Sequence, residues 1–325
     1  ILNEQFGEGE LRFRFDNPEP DILFNNVKIF VKDRGPETEL SEKGHGMQRA
    51  VILSLLQVYA KRITQIKNEN GELKLKPHFL FIDEPEMGLH PQAQQKLFEA
   101  LKVIAQTHQV FISTHSENFI SAEQVKNIYK FHKVPDGVEI HSLNNFNEDL
   151  KPYRKFFFHH HKLFFTDKAV FVEGSDDIER YPEFCENHNF SELKKDFYAL
   201  SGSGDFKIFR SLCDALGIKS AFLFDIDTIS CTVTLFNDSF DKDIALKIKQ
   251  LNKSCTKKDP TNLLDENLSS DDVLKKNEII SLLANKNIFI LQNGAIEQYL
   301  DSNAEPLNNK RKMELISLFD KIKTI

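Results

Sequence analysis

Apolar and polar positions change rhythm along this chain, and the changes divide it. Residues 1–40 alternate in short runs such as LRFRF and VKIFVK, separated by Pro, Asp and Asn. A period of two over so few residues predicts strands at the edge of a sheet. From Met47 the apolar positions of MQRAVILSLLQVYAKRI recur with a helical period. Phe79 to Ile82 and the run QVFIST are short, apolar and turn-bounded, which predicts buried strands, with a helix from Leu89-His90-Pro91 between them. NIYKFHK and GVEIHSL predict two more short strands before the polar loop NNFNEDLKP.

A second regime starts at Lys168. AVFVEG predicts a strand, DDIERYPEFCENHNF a helix interrupted near Pro182, and DFYALSGSG a strand ending in a Gly/Ser turn. FKIFRSLCDALGI predicts an amphipathic helix with Gly217 just past its end, and SAFLFDID a further buried strand. Strands alternating with helices predict a small parallel sheet. The final third is charged and less regular, with a strand at NIFIL and helices at NGAIEQYLD and NNKRKMELISLFDKIK.

Composition adds boundaries. A chain of 325 residues exceeds what one compact core usually holds, so two domains are expected. A net charge of −7 argues against nonspecific coating of nucleic acid, although a local basic groove remains compatible with it. Cys185, Cys213, Cys231 and Cys255 form no CxxC pair and read as reduced thiols, hence a cytoplasmic protein. No apolar run has the length of a membrane span and no signal peptide opens the chain. The start at ILNEQF, without Met, reads as that of a fragment.

The candidate chemistry sits at strand ends. Apolar strands run directly into Glu173 and into the pair Asp225/Asp227. In an open α/β sheet, ligands bind beyond the carboxyl ends of the strands. If these strands are neighbours the acids converge, and a hard divalent cation, Mg²⁺ or Mn²⁺, would neutralise them. Asp176 and Glu179 read as surface acids. Asp83 and Glu84 also end a strand, a pair suited to metal-assisted phosphoryl transfer. His115 follows a strand in the same way, where it serves as a phosphate contact or simply as a hydrogen-bonded polar residue. Ser41, Gly44 and Gly46 precede a helix whose free N–H groups suit a phosphate, or else only form a turn. His159 to His161 point in different directions on a helix and cannot share one ion well; with Lys151, Arg154 and Lys155 they read as a packed boundary helix with a basic face.

LSEKGHGMQR, FLFIDEPEMGLHP and VFISTHS resemble the signature motif, the Walker B and D-loop, and the switch histidine of ABC-type ATPases, most closely the SMC/RecF/OLD branch. The resemblance implies that Ser41 and Gly44 to Gly46 touch the γ-phosphate of a nucleotide held by a partner protomer. It implies Asp83 and Glu84 as Mg²⁺ and water residues, and His115 as γ-phosphate sensor. GxxxxGK[ST] occurs nowhere in the chain, so ATP/Mg²⁺ would bind only if a Walker A part is present. VEGSDD followed by FDID resembles a Toprim domain. An ABC-type ATPase followed by Toprim is the arrangement of the OLD (overcoming lysogenisation defect) family of ATP-dependent nucleases.

The expected fold is therefore α/β, a partial ATPase domain of mixed sheet and helices over 1–150, a connecting helix over 151–167, and a Toprim Rossmann-like parallel domain with a helical extension over 168–325. The resemblance implies metal-dependent cleavage of DNA at a two-ion site. Glu173 stands between ligand and general base; Asp225 and Asp227 hold one ion; Asp177, Glu297 and Asp301 serve the other. Glu297 and Asp301 lie four apart on one helix face, which alone reads as a solvated face. A late catalytic lysine in the family matches Lys312 better than Lys310. The ATPase part implies a homodimer or higher homo-oligomer, and the family acts in bacterial defence against phage, some members with a helicase or beside retrons. The rival expectation is an SMC/RecF-like repair ATPase whose Toprim domain only binds DNA. Primer synthesis or topoisomerase-type strand transfer is disfavoured, since no winged-helix-like segment with a nucleophilic Tyr is evident.

Overall fold

The computed structural model describes residues 9–15, 27–33, 36–70, 79–121, 123–146, 149, 154–201, 205–226, 228–231, 242–254, 263–293, 299 and 309–325. The chain divides into two compact units, Ile1–Ser121 and Ala122–Ile325.

In the first unit, β1 (Gly9–Phe15), β2 (Val27–Asp33) and β3 (Thr38–Glu39) form an antiparallel sheet, with Gly9 opposite Asp33 and Phe30 opposite Glu39. A single 3-10 turn, Leu40–Glu42, leads to α1 (His45–Asn70). β4 (Phe79–Asp83) and β5 (Gln109–Ser113) pair in parallel, linked through α2 (Pro91–Ile104). Pro91 opens α2, where a missing N–H costs nothing, and the His90 ring accepts the Gln92 N–H as a cap. Leu97, Phe98, Leu101 and Ile104 of α2 form the core with Ala60 and Phe119, against Leu80, Ile82, Val110 and Ile112. The alternate residues Phe79, Phe81 and Phe111 remain exposed on the other face.

The second unit opens with a hairpin, β6 (Tyr129–Val134) and β7 (Gly137–Ser142), followed by the short α3 (Arg154–His159). Its centre is a four-stranded parallel sheet in the order β11-β10-β8-β9, made of β8 (Lys168–Val172), β9 (Phe197–Ala199), β10 (Lys219–Phe224) and β11 (Ile288–Ile290). The connections are α4 (Asp177–Asn187) and α5 (Phe206–Ala215), then α6 (Thr228–Cys231), α7 (Lys242–Ser254) and α8 (Ser270–Ala284); α9 (Asn309–Lys323) closes the chain.

Both sheet faces are buried, as a parallel sheet requires. Val170, Val172, Ala221 and Leu223 join Tyr181, Phe184 and the α9 residues Leu315, Leu318, Phe319 and Ile322. On the other face, Phe171 packs against Phe156, Phe209 and Phe222 at centroid distances of 6.4, 5.5 and 5.0 Å. Lys276 of α8 is fully buried and donates to the Leu263 carbonyl and to Asp265, so its charge is paired where it is desolvated.

Two details depart from the sequence reading. α4 runs through Pro182 without interruption. Tyr181, Phe184 and Cys185 are seated in the core on either side of it, which outweighs the one backbone bond that proline forfeits. The hairpin expected within residues 1–150 groups with the second unit, because Lys130 donates to the Thr166 carbonyl, Lys130 and His132 face Asp167 at 3.2 and 3.3 Å, and the His141 ring lies over Gly217. Gly217 has φ +64°, and a Cβ there would sit 2.5 Å from the His141 ring.

Candidate functional site

The parallel strands of the second unit end level with one another. Val172 pairs with Leu223, the Leu200 N–H reaches the Val172 carbonyl at 2.8 Å, and the Leu291 N–H reaches the Phe224 carbonyl at 2.9 Å. Glu173 leaves β8 and Asp225 leaves β10 on this same edge. From β8 the chain first adds β9 on one side and then crosses to β10 on the other. The topological switch point therefore lies between β8 and β10, where open α/β sheets form a ligand crevice. The two acids flank it.

Glu173 is half-buried and its Oε1 accepts a hydrogen bond from the Thr228 hydroxyl. Asp177 is 9% exposed at the start of α4, and its Oδ2 accepts the Gly174 N–H at 3.0 Å, closing the turn after Glu173. Tyr181 lies one helical turn further on. Its hydroxyl is pushed well above the usual phenol range, by burial first and then by the charges of Asp177, Asp225, Tyr299 and Glu173. One buried hydroxyl thus senses all three carboxylates. Asp176 and Glu179 are exposed.

Asp227, Glu297 and Asp301 lie outside the described residues. Lys312 is half-buried in the first turn of α9. The start of that helix is tied to the carboxyl end of β11: Arg311 Nε donates to the Asn293 carbonyl at 3.1 Å, and Glu314 accepts the Gln292 N–H at 2.6 Å and the Tyr299 hydroxyl at 2.7 Å. Thr228, Tyr181, Arg311 and Glu314 escaped the sequence reading. Only Glu314 carried a local hint, two residues after Lys312 in KMEL.

Glu173, Asp177 and Asp225 offer only anionic oxygen, the donor set of a hard divalent cation. Among the described residues no group of three His, Cys, Asp or Glu could hold an ion by itself, and two of the expected ligands, Asp227 and Glu297, are outside that set. A cleft of about 410 Å³ lined by Arg210, Asp214, Lys219 and Asn287 lies at the opposite, amino-terminal edge of the sheet, so cavity size does not mark this site. His159 is exposed, whereas His160 packs among rings, 4.6 Å from Phe156 and 5.7 Å from Tyr198.

In the first unit, Asp83 and Glu84 end β4 beside Ser113, and His115 follows two residues later. The Ser113 hydroxyl bonds Asp83, and the Glu84 N–H reaches the Ser113 carbonyl at 3.0 Å. Glu84 has φ +38°, a conformation rare outside glycine, and Arg49 Nη1 holds its carbonyl at 2.8 Å. His115 is 84% exposed with Nε2 at 3.5 Å from the Glu84 carboxylate. Asp83, Glu84 and His115 are thus brought together. Glu86, which the sequence reading passed over, is buried and accepts the Thr114 hydroxyl at 2.7 Å and the His115 N–H at 2.8 Å, fixing that loop. Ser41 is exposed beside a cavity of about 270 Å³, where Gln48 Nε2 donates to the Ser41 and Lys43 carbonyls. Gly44 faces open space, and Gly46 approaches the Gly88 carbonyl, with 3.7 Å left for a Cβ.

The AAA ATPase domain family matches residues 8–120. The Toprim domain of overcoming lysogenization defect protein-like proteins matches residues 164–227. The chain is 29% identical over 247 residues to the Old nuclease of Escherichia phage P2, covering 70% of this chain and 41% of that protein. It is 24% identical over 263 residues to the OLD nuclease of Thermus scotoductus, covering 75% and 46%. The solved C-terminal region of the Xanthomonas campestris pv. campestris OLD protein aligns with a TM-score of 0.25 at 17% identity, covering 50% of this chain and 82% of that one. The chain spans about half the length of the curated relatives it matches. It is an α/β protein that joins an ATPase region to a Toprim domain. Over most of its length it is similar to OLD nucleases.

Proposed function

We propose that this protein is a metal-dependent endonuclease that cuts DNA at the edge flanked by Glu173 and Asp225. The observation that carries the reading is that these acids flank the switch point of the sheet, within the stretch matched to OLD-like Toprim domains. Two Mg²⁺ or Mn²⁺ ions, when bound, would supply an activated water and offset charge on the leaving oxygen. Glu173, Asp225 and Asp227 are assigned to one ion, and Asp177, Glu297 and Asp301 to the other. Thr228 holds the Glu173 carboxylate in one orientation, and the Gly174 N–H does the same for Asp177. Lys312 is assigned to the phosphate oxygens, where a fixed cation opposes the charge that grows in the transition state.

The first unit is assigned a nucleotide-dependent gating role. Asp83 would hold Mg²⁺ through water, Glu84 orient the attacking water, and His115 contact the γ-phosphate. Ser41, Gly44 and Gly46 would complete the site of another copy, which makes the working state a homodimer or a larger homo-oligomer. Anti-phage defence in the bacterial cytoplasm, alone or with a helicase or a retron, is the setting the family resemblance supports.

The test is nicking of supercoiled plasmid with Mn²⁺. Glu173→Ala is expected to lower the rate by at least about 100-fold, because losing even a residue that only orients a ligand costs about 10–100-fold. Metal-dependent nicking that survives the substitution would exclude this edge as the nuclease site and leave a DNA-binding Toprim domain.

A further inference from the structure

We infer that Thr228 is a positioning residue that locks Glu173 to the end of β10, and that this lock makes the edge selective for a divalent cation of strict geometry, Mg²⁺ or Mn²⁺ over Ca²⁺. The inference rests on the nuclease reading above.

The backbone ladder between β8 and β10 stops short of the acids. Its last pair is Val172 with Leu223, and Phe224 pairs with Ile290 of β11 on the other side. Glu173 and Asp225 thus leave their strands where the sheet opens, and β8–β10 backbone pairing no longer sets their spacing. Thr228 spans that opening. Its N–H donates to the Asp225 carbonyl at 3.2 Å, closing the turn after β10, and its hydroxyl donates to Glu173 Oε1. One residue therefore holds the backbone of one acid and the side chain of the other.

The lock is rigidly mounted. Thr228 is 4% exposed, and Ile226 and Ile229, close to it on either side in sequence, are buried. The Ile229 N–H donates to the Ile226 carbonyl at 3.2 Å. A threonine hydroxyl near a turn ordinarily bonds a backbone group close in sequence. This one reaches a carboxylate 55 residues away. A bond to an ionised acceptor is short and strong, so Glu173 keeps one orientation before an ion arrives. Mg²⁺ demands near-ideal octahedral coordination, whereas Ca²⁺ accepts irregular and more numerous oxygen ligands. A carboxylate fixed in advance favours the strict ion, and a swinging one serves Ca²⁺ equally well. Thr228 acts through Glu173, and selectivity follows from rigidity.

The test is calorimetry of Mg²⁺, Mn²⁺ and Ca²⁺ binding without DNA, with plasmid nicking in Mn²⁺ and the metal-free melting temperature alongside. It compares the unaltered protein with Thr228→Val, Thr228→Ser, Glu173→Ala and the double variant Glu173→Ala/Thr228→Val. Val keeps the shape and the backbone N–H and removes only the hydroxyl. Thr228→Val is expected to lower Mg²⁺ and Mn²⁺ affinity by about 10–100-fold. Ca²⁺ affinity should fall by less than about 3-fold. In nicking, kcat should drop while the KM for DNA stays within about 2-fold, because the residue makes no uniform contact with substrate. Thr228→Ser keeps the donor and should stay within about 3-fold of the unaltered protein. In the Glu173→Ala background the Val change should alter ion affinity by less than about 2-fold, since no carboxylate is left to hold. If Val lowers the melting temperature too far for binding to be read, Thr228→Ala, which also lacks the hydroxyl, takes its place with the same expectation. No loss of affinity, equal losses for all three ions, a loss that Ser does not restore, or one that persists undiminished without Glu173 would overturn the inference. Glu173→Ala separates the two readings. If it abolishes nicking while Thr228→Val leaves ion affinities untouched, only the positioning role fails. If the unaltered protein binds ions with the expected selectivity but never nicks, only the nuclease reading fails.

Discussion

His160 shows how one side chain can carry a pH dependence for the whole second unit. Its ring lies among Phe156 and Tyr198, and burial, then Lys162, then His159 lower its pKa to about 4. In an unfolded chain it would titrate near 6.5. Between these values the unfolded state binds the extra proton, so stability rises with pH through that window and is level above it. The neutral ring's contribution is complete above about 6.5 and is lost as pH falls toward 4. Partial exposure reduces its size to on the order of 1–2 kcal/mol. Urea titrations of the native protein and His160→Gln at pH 4.5 and 7 should show the native protein losing more stability on acidification than the variant. Equal losses would assign the acid sensitivity to other groups. The same residue also explains a limit of the sequence. HHH reads as part of a packed boundary helix with a basic face, and nothing local says that its middle ring is the one that enters an aromatic core.

At the scale of elements, strands that end in acids were legible because burial and chemistry leave opposite marks on adjacent residues. AVFVE and FLFD each switch from apolar to acidic at the point where the sheet stops. The groups that orient those acids left no such mark. Thr228 reaches Glu173 from a helix 55 residues further along the chain, and a hydroxyl on a helix is locally ordinary. Hydrophobic pattern also fails to say which apolar face is covered. Phe171 is fully buried, whereas Phe81 is 76% exposed, although each sits in a short apolar strand of a parallel pair. The difference has an energetic consequence. Phe171→Ala removes contacts with Phe156, Phe209 and Phe222 and should cost about 3–5 kcal/mol in urea unfolding. Phe81→Ala gives up only an exposed stacking pair with Phe111, centroids 4.8 Å apart, and should cost less than about 1 kcal/mol. Similar losses for both would mean that the Phe81 face is covered in solution.

For the whole molecule, the question is what an ATPase region does here without a GxxxxGK[ST] stretch anywhere in its 325 residues. Tight nucleotide binding needs several backbone N–H groups around the α- and β-phosphates and a lysine for the β- and γ-oxygens. Asp83, Glu84 and His115 are assembled at one edge, but two of the three are anions, and without a metal or lysine they repel a polyphosphate. Signature residues cannot compensate, because Ser41 and Gly44 face outward at the start of α1 and offer one phosphate contact, not a cradle. The expectation is that a fluorescent ATP analogue titrated into residues 1–325 alone shows no saturation below about 1 mM, a binding free energy weaker than about −4 kcal/mol. The second unit carries its acids on its own sheet, independent of that deficit. Mn²⁺-dependent nicking by residues 1–325 alone should therefore proceed without nucleotide and be unchanged by added ATP, the proposed gating needing a chain that also carries a phosphate cradle. Micromolar ATP affinity that disappears in Asp83→Asn would overturn this and require a phosphate cradle built from residues other than the glycine-rich loop.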